Sequence, residues 1–150
     1  MAALFLGIDI GTSGVRACAI DEHARIRCVA SAMLPPPRVN GDAIDQQPDL
    51  WWQASLVAIR RLGERVDLGG IERVVVDGTS GTLILIDAAG RPCTRGLMYN
   101  DARATKEAAR MAAIAPAECG AHSASSALAK LLHLLGRGEV GAARHAVAQA

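Results

Sequence analysis

The chain has 150 residues, of which 51% are hydrophobic and 21% charged, and its formal net charge is +1. That length supports one domain with a real core. The balanced charge argues against a nucleic-acid-binding surface and against an acidic tail.

Leu4 to Ile10 is a short, nearly continuous apolar run and reads as a buried strand. Gly11-Thr12-Ser13-Gly14 is a turn, Val15 to Ile20 a second strand, Asp21 to Ala24 a second turn and Ile26 to Ala30 a third strand. Three strands joined by tight turns are antiparallel neighbours. Pro35-Pro36-Pro37 ends this pattern, and the segment to Gln47 reads as loop, being rich in Pro, Gly, Asn and Asp.

Pro48 and Asp49 suit the first turn of a helix. At 100° per residue, Trp51, Trp52, Leu56, Ile59, Leu62 and Val66 gather on one face, with Arg60, Arg61 and Glu64 opposite. This predicts an amphipathic helix lying on a sheet, ended by Asp67-Leu68-Gly69-Gly70. Arg73 to Val76 is a fourth strand, parallel to its partner because a helical crossover precedes it. Thr82 to Ile86 is a fifth, closed by Asp87-Ala88-Ala89-Gly90. A helix then runs from Asp101 to about Ala115, stopped by Pro116. Another begins among Ser123, Ser125 and Ser126 and carries leucines to Gly136, and Glu139 to Gln149 reads as a last helical stretch.

Aromatic residues are 3% of the chain, so the core is expected to consist of Ala, Val, Ile and Leu. Cys18, Cys28, Cys93 and Cys119 have no zinc-ligand spacing and read as reduced thiols of a cytoplasmic protein. No basic leader precedes the first strand, and no apolar run reaches the ~20 residues of a membrane helix. Neither nucleic acid nor membrane is an expected partner.

The chemistry concentrates at Gly7-Ile8-Asp9-Ile10-Gly11-Thr12-Ser13-Gly14, followed by the strand holding Arg16. Such a turn gathers backbone N–H groups and two hydroxyls in one concave place, which suits phosphate oxygens; the alternative is a plain hairpin turn. Asp9 could hold Mg²⁺ directly or through water. Neither G-x-x-x-x-G-K-[ST] nor G-x-G-x-x-G occurs, which excludes a P-loop and a dinucleotide fingerprint.

The Gly7 to Gly14 block resembles the first phosphate loop of the superfamily of sugar kinases, heat-shock chaperones and actin. Asp45-Gln46-Gln47-Pro48-Asp49-Leu50-Trp51-Trp52 resembles the acidic-Gln-x-Pro-x-x-Trp-Trp segment of the FGGY carbohydrate kinases. Asp77-Gly78-Thr79-Ser80-Gly81-Thr82 resembles their sugar-facing strand–turn–strand. Met98-Tyr99-Asn100-Asp101-Ala102-Arg103 resembles their Trp-x-Asp-x-Arg segment, with Tyr99 where many members have Trp. Ala127 to Leu132 resembles a later helix, with Ala129 in place of a common Pro. A chaperone-like ATPase has no use for the Trp pair or the Tyr-Asn-Asp segment.

The resemblance implies an α/β, ribonuclease-H-like (actin-like ATPase) fold, its mixed sheet containing the three antiparallel strands with helices packed on it, and incomplete here. It implies ATP-dependent phosphorylation of a free sugar, a ketopentose such as ribulose or xylulose, with ATP and Mg²⁺ as cofactors. Asp9, Gly11, Thr12, Ser13, Gly14 and Arg16 would serve phosphate and Mg²⁺, with Asp9 as the metal residue. Thr79, Ser80, Gly81, Asn100 and Asp101 would serve the sugar. The catalytic base, an Asp in a Gly-x-x-Asp segment, and the adenosine domain are expected beyond Ala150. The chain would then be the N-terminal part of a kinase, or else a non-catalytic phosphate- or sugar-binding remnant of one. An open sheet edge would favour dimerisation or aggregation.

Other readings rest on the residues alone. Asp101 is either a sugar ligand or a helix cap. Asp77 is a turn-forming strand end, and Arg16 either supports the phosphate site or is solvated. Arg103 and Lys130 read as surface residues. His23, His122, His133 and His145 form no ligand pattern.

Overall fold

The computed structural model describes residues 3–116 and 118–148. Among these, nine strands and three α-helices follow in the order β1 (Leu4–Ile10), β2 (Gly14–Asp21), β3 (Ile26–Met33), β4 (Arg38–Asn40), β5 (Ala43–Gln46), α1 (Pro48–Gly63), β6 (Ile71–Gly78), β7 (Leu83–Ile86), β8 (Gly96–Leu97), α2 (Thr105–Ala112), α3 (Ala127–Gly136) and β9 (His145–Ala148). The chain forms two compact units. One holds the residues up to Pro36 together with Asp49–Thr79; the other holds Pro37–Pro48 and the residues from Ser80 onward.

The first unit is a four-stranded sheet in the order β3-β2-β1-β6. β1, β2 and β3 pair antiparallel, and β6 joins β1 in parallel. The core lies between the sheet and α1: Leu6, Ile8, Val15, Ala17, Ala19, Cys28 and Ala32 meet Ala54, Ala58 and Leu62. The helix is where expected, but its buried stripe differs. Trp52 is 67% exposed and Leu56 42% exposed, while Ala54, Ser55 and Ala58 are buried. With Trp51 set at 0°, positions 54, 55, 58 and 62 fall within about 60° of it, whereas 52 and 56 fall at about 100° and 140°. The stripe is built on small residues, which let the helix lie close to the sheet; the Ser55 hydroxyl donates back to the Trp51 carbonyl at 2.7 Å. Val66 lies beyond the helix, partly buried against the same core.

The second unit is a five-stranded sheet in the order β4-β5-β8-β7-β9, with every pair antiparallel. Its two apolar clusters join Leu83, Leu85 and Leu97 to Leu134 of α3, and Ala104, Ala108 and Met111 to Ala129. Three expectations need correction here. The segment from Pro35 to Gln47 is not all loop: β4 and β5 form a hairpin turning at Gly41-Asp42, with φ +58° at Gly41, a favourable arrangement for glycine in the first central position. The α2 helix starts at Thr105 and ends at Ala112, and Ala104 occupies its cap position without a side-chain cap, so Asp101 caps nothing. The last stretch is not helical: His145–Ala148 pairs with β7 as a strand, while Gln149 lies outside the described residues. Positive φ at Gly138 and Gly141 stops a helix there, and the edge of β7 supplies backbone partners that outweigh the helix preference of the alanines. By contrast, α3 begins as expected, with the Ser126 hydroxyl accepting from the Ala129 amide.

Candidate functional site

In the first unit, β1 and β6 run parallel and end together at Ile10 and Gly78, so the Gly11 to Ser13 turn stands at the carboxyl ends of both. The Gly11 amide donates to the Gly14 carbonyl at 3.0 Å and closes the turn, and the Leu34 amide donates to the Ser13 carbonyl at 2.9 Å. A Cβ on Gly14 would come within 2.7 Å of the Ala32 carbonyl oxygen, so only glycine lets β2 approach β3 here. Among the described residues, no protein group accepts from the Thr12 or Ser13 amide. Two open amides beside two hydroxyls form a cradle that fits phosphate oxygens. Thr79 belongs to the same place: its amide donates to the Ile10 carbonyl at 3.3 Å, and its hydroxyl lies 3.5 Å from that of Thr12.

Asp9 is the register partner of Arg16 on one side and of Asp77 on the other. The Arg16 guanidinium donates to the Asp9 carboxylate at 2.6 Å, and the two side chains remain 65% and 44% exposed. The Asp77 carboxylate accepts from the Gly78 amide at 2.8 Å, as a strand-ending turn residue does. Among the described residues, no group of three or more His, Cys, Asp and Glu could hold a metal. A single accessible carboxylate nevertheless fits Mg²⁺, which keeps several waters and takes other ligands from substrate phosphates.

In the second unit, Ser80 and Asn100 are exposed, and Gly81 turns the chain at φ +77°. Asp101 has no exposed surface. One of its oxygens accepts from the Ile44 amide at 2.7 Å and from Arg103 Nη2 at 2.6 Å; the other accepts from Arg103 Nε at 3.0 Å. Arg103 is thus not a solvated helix residue. It also donates to Asp45, which receives Arg38 and Arg95 as well. Burial works to raise the Asp45 carboxyl, but the hydrogen bonds from Arg38, Arg95 and Arg103 outweigh it and hold the group well below the usual carboxylate range.

Lys130 is likewise not on the surface. It is 0% exposed, and its ammonium donates to the carbonyls of Met98 at 2.6 Å, Gly81 at 2.9 Å and Tyr99 at 3.4 Å. Burial pushes its pKa down to about 8, with the Asp101 charge acting against that and Arg103 adding to it. The sequence signal for it was its helical position, four residues before the buried Leu134 on the inward stripe of α3. The Thr82 hydroxyl, next in the chain to Gly81, is shielded from solvent and has no hydrogen-bond partner among the described residues. Two of the histidines hold structure: His133 meets Glu107 at 3.4 Å, and His122 meets the Ala115 carbonyl at 3.3 Å.

Residues 4–123 match the FGGY family of carbohydrate kinases, N-terminal domain. The chain is 28% identical over 113 residues to the xylulose kinase of Escherichia coli (strain K12), an alignment covering 75% of this chain and 23% of that protein. The crystal structure of a xyloylose kinase from Brucella ovis superposes with a TM-score of 0.85 at 25% identity, covering 97% of this chain and 32% of that one. A gluconate kinase from Lactobacillus acidophilus shares the fold at a TM-score of 0.84 and 16% identity, covering 99% of this chain and 32% of that one. The chain therefore spans about a quarter to a third of the length of the relatives it matches. The architecture is the mixed α/β, actin-like ATPase fold of the sugar kinases, present in part. With the family match covering most of its length, the chain belongs to the FGGY family of carbohydrate kinases.

Proposed function

We propose that this chain is the N-terminal, phosphate- and sugar-binding part of an ATP-dependent kinase for a free ketopentose, with xylulose ahead of ribulose. The observation that carries the reading is the family match over residues 4–123, joined to similarity with xylulose kinases. The open amides and hydroxyls of the Gly11 to Gly14 turn support it, since phosphoryl transfer asks the protein mainly for positioning and charge neutralisation. In this reading Thr12 and Ser13 face the transferred phosphate, Gly11 and Gly14 shape the turn, and Arg16 orients Asp9. Bound Mg²⁺, held by Asp9 through water, would neutralise the phosphate charge. Thr79 links the phosphate turn to the strand that leads to Ser80 and Gly81. Ser80, Gly81 and Asn100 face the sugar, while Asp101, buried and held by the Ile44 amide and Arg103, anchors the segment next to Asn100. We assign the base that accepts the sugar hydroxyl's proton, and the adenosine site, to a region beyond Ala150. The four unpaired thiols support a cytoplasmic setting. No helix among the described residues is long and apolar enough to cross a membrane.

The test is ADP release and sugar binding by the purified chain against a panel of ketopentoses, aldopentoses and polyols. Saturable xylulose binding without turnover is the expected result. Sugar-dependent turnover would contradict the placement of the base and adenosine site. Absence of any sugar binding would reject the assignment of Ser80, Gly81 and Asn100.

A further inference from the structure

A lysine ammonium in a protein interior loses its hydration, which costs several kcal/mol unless hydrogen bonds replace it. At position 130 an apolar residue would satisfy the packing of α3 without that cost. The geometry shows what the charge does instead. Its three N–H groups reach three backbone carbonyls in two segments far apart in sequence, Gly81 on one side and Met98 and Tyr99 on the other. The Gly81 carbonyl directly follows Ser80 in the chain, and the Tyr99 carbonyl belongs to the peptide plane that carries the Asn100 amide. The Met98 carbonyl also accepts from the Asp101 amide at 2.9 Å, so one oxygen joins the ammonium to the turn around Asn100.

We propose that Lys130 is a positioning residue that sets the separation of the Ser80-Gly81 turn from Asn100, and through it the choice between ketopentoses. This rests on the reading that these residues face the sugar. In this role Lys130 acts through the carbonyls rather than on the sugar, its one ammonium supplying an N–H donor to each of the three. Epimeric ketoses differ in the direction of one hydroxyl, so a small shift between the two segments changes which epimer finds its partners.

The experiment compares the wild-type chain with K130M and S126A. The second variant removes the cap of α3 and leaves the ammonium in place. Amide hydrogen exchange without sugar is measured first. In K130M, exchange is expected to rise at residues 80–82 and 98–101 while the amides of α3 stay protected; in S126A the rise is confined to the start of α3. Unchanged exchange at both segments in K130M would overturn the proposal. Calorimetric titration with D-xylulose and D-ribulose follows. K130M is expected to bind the preferred ketose roughly tenfold more weakly and to bring the ratio of the two affinities towards one. Loosened segments with an unchanged ratio would reduce Lys130 to a scaffold and overturn the specificity role, while leaving the sugar site standing. A wild-type chain that binds neither ketose would reject the sugar site, and the specificity role with it.

A measurement on the wild type covers the case in which K130M does not fold. The chain has only two lysines, Lys106 and Lys130, so a ¹⁵N-lysine spectrum separates them. The Lys130 ammonium is expected to exchange slowly and to shift when xylulose is added. Exchange as fast as that of the exposed Lys106 would overturn the proposal.

Discussion

Arg103 and Asp45 meet at 2.9 Å through the same Nη2 atom that reaches Asp101 at 2.6 Å, so one guanidinium ties the β5 strand to the segment after β8. Asp45 is 2% exposed and Asp101 0% exposed at the side chain, which makes this a shielded charge network. Removing Asp45 leaves Arg103 with Asp101, and the side chains of Arg38 and Arg95, 61% and 31% exposed, can reach water, so the loss is that of charge-assisted hydrogen bonds rather than of a stranded buried charge. D45A is expected to lower the stability of the second unit by about 1–3 kcal/mol in denaturant titration. The pH dependence follows from the depressed Asp45 carboxyl. Its contribution is complete above the unfolded value near 3.8 and is lost as pH falls below it, because the unfolded chain then binds the proton first. The second unit should therefore keep its far-ultraviolet signal down to pH 4 and lose it more steeply below that than D45N does.

The Asp9–Arg16 pair stands in contrast, because both side chains are largely exposed. Exposed pairs contribute little to stability, typically below about 1 kcal/mol. D9N and R16A are therefore expected to melt close to the wild type. Under the proposed function, D9N is expected to lower kcat by at least about tenfold at fixed Mg²⁺ in a kinase that contains this chain, with little change in the sugar KM. A sugar-binding defect with intact turnover would move Asp9 out of the phosphate site.

Gly14 tests the shape of the turn. A methyl there would meet the Ala32 carbonyl oxygen at 2.7 Å, an atom of the neighbouring strand with little freedom to move. G14A should cost about 1–3 kcal/mol through overpacking, read as a shift in the denaturation midpoint. G90A serves as the contrast: its Cβ meets nothing within 4 Å, but its φ of +78° makes the strain purely conformational and smaller.

The edge of the first sheet predicts association. On β6, Val74, Val75 and Val76 are 57%, 68% and 55% exposed, and they point to alternate faces of the outermost strand. An edge strand apolar on both faces invites further strand pairing. Sedimentation velocity should show self-association that grows with protein concentration, and V75K should reduce it. A monomer at all concentrations would reject the edge as the sticky surface.

Much of the fold was legible along the chain because it is local. The first three strands and their turns, the α1 start at Pro48 and the α3 cap at Ser126 follow from runs, breakers and caps that act over a few residues. The parallel β6 was legible because a helix must intervene before a parallel partner. The buried face of α1 was not legible from its large apolar residues, because close packing on the sheet favours the small side chains of Ala54, Ser55 and Ala58 over Trp52 and Leu56. The Gly11 to Gly14 turn was legible because its glycines and hydroxyls are contiguous between two strands.

By itself, the sequence determined the order of its ordinary elements, the glycine–hydroxyl turn and the blocks that mark its family, since each rests on neighbouring residues. Tertiary structure alone decided that His145–Ala148 is a strand, that Thr79 sits beside the Gly11 to Gly14 turn, and which carboxylates and carbonyls Arg103 and Lys130 bond to. The physical reason is the same in each case. A strand needs an edge to pair with, and a buried charge needs carbonyls or carboxylates that come from elsewhere in the chain. Gly81, Met98 and Tyr99 are 49, 32 and 31 residues away from Lys130, so no local pattern around position 130 could announce where its ammonium would go.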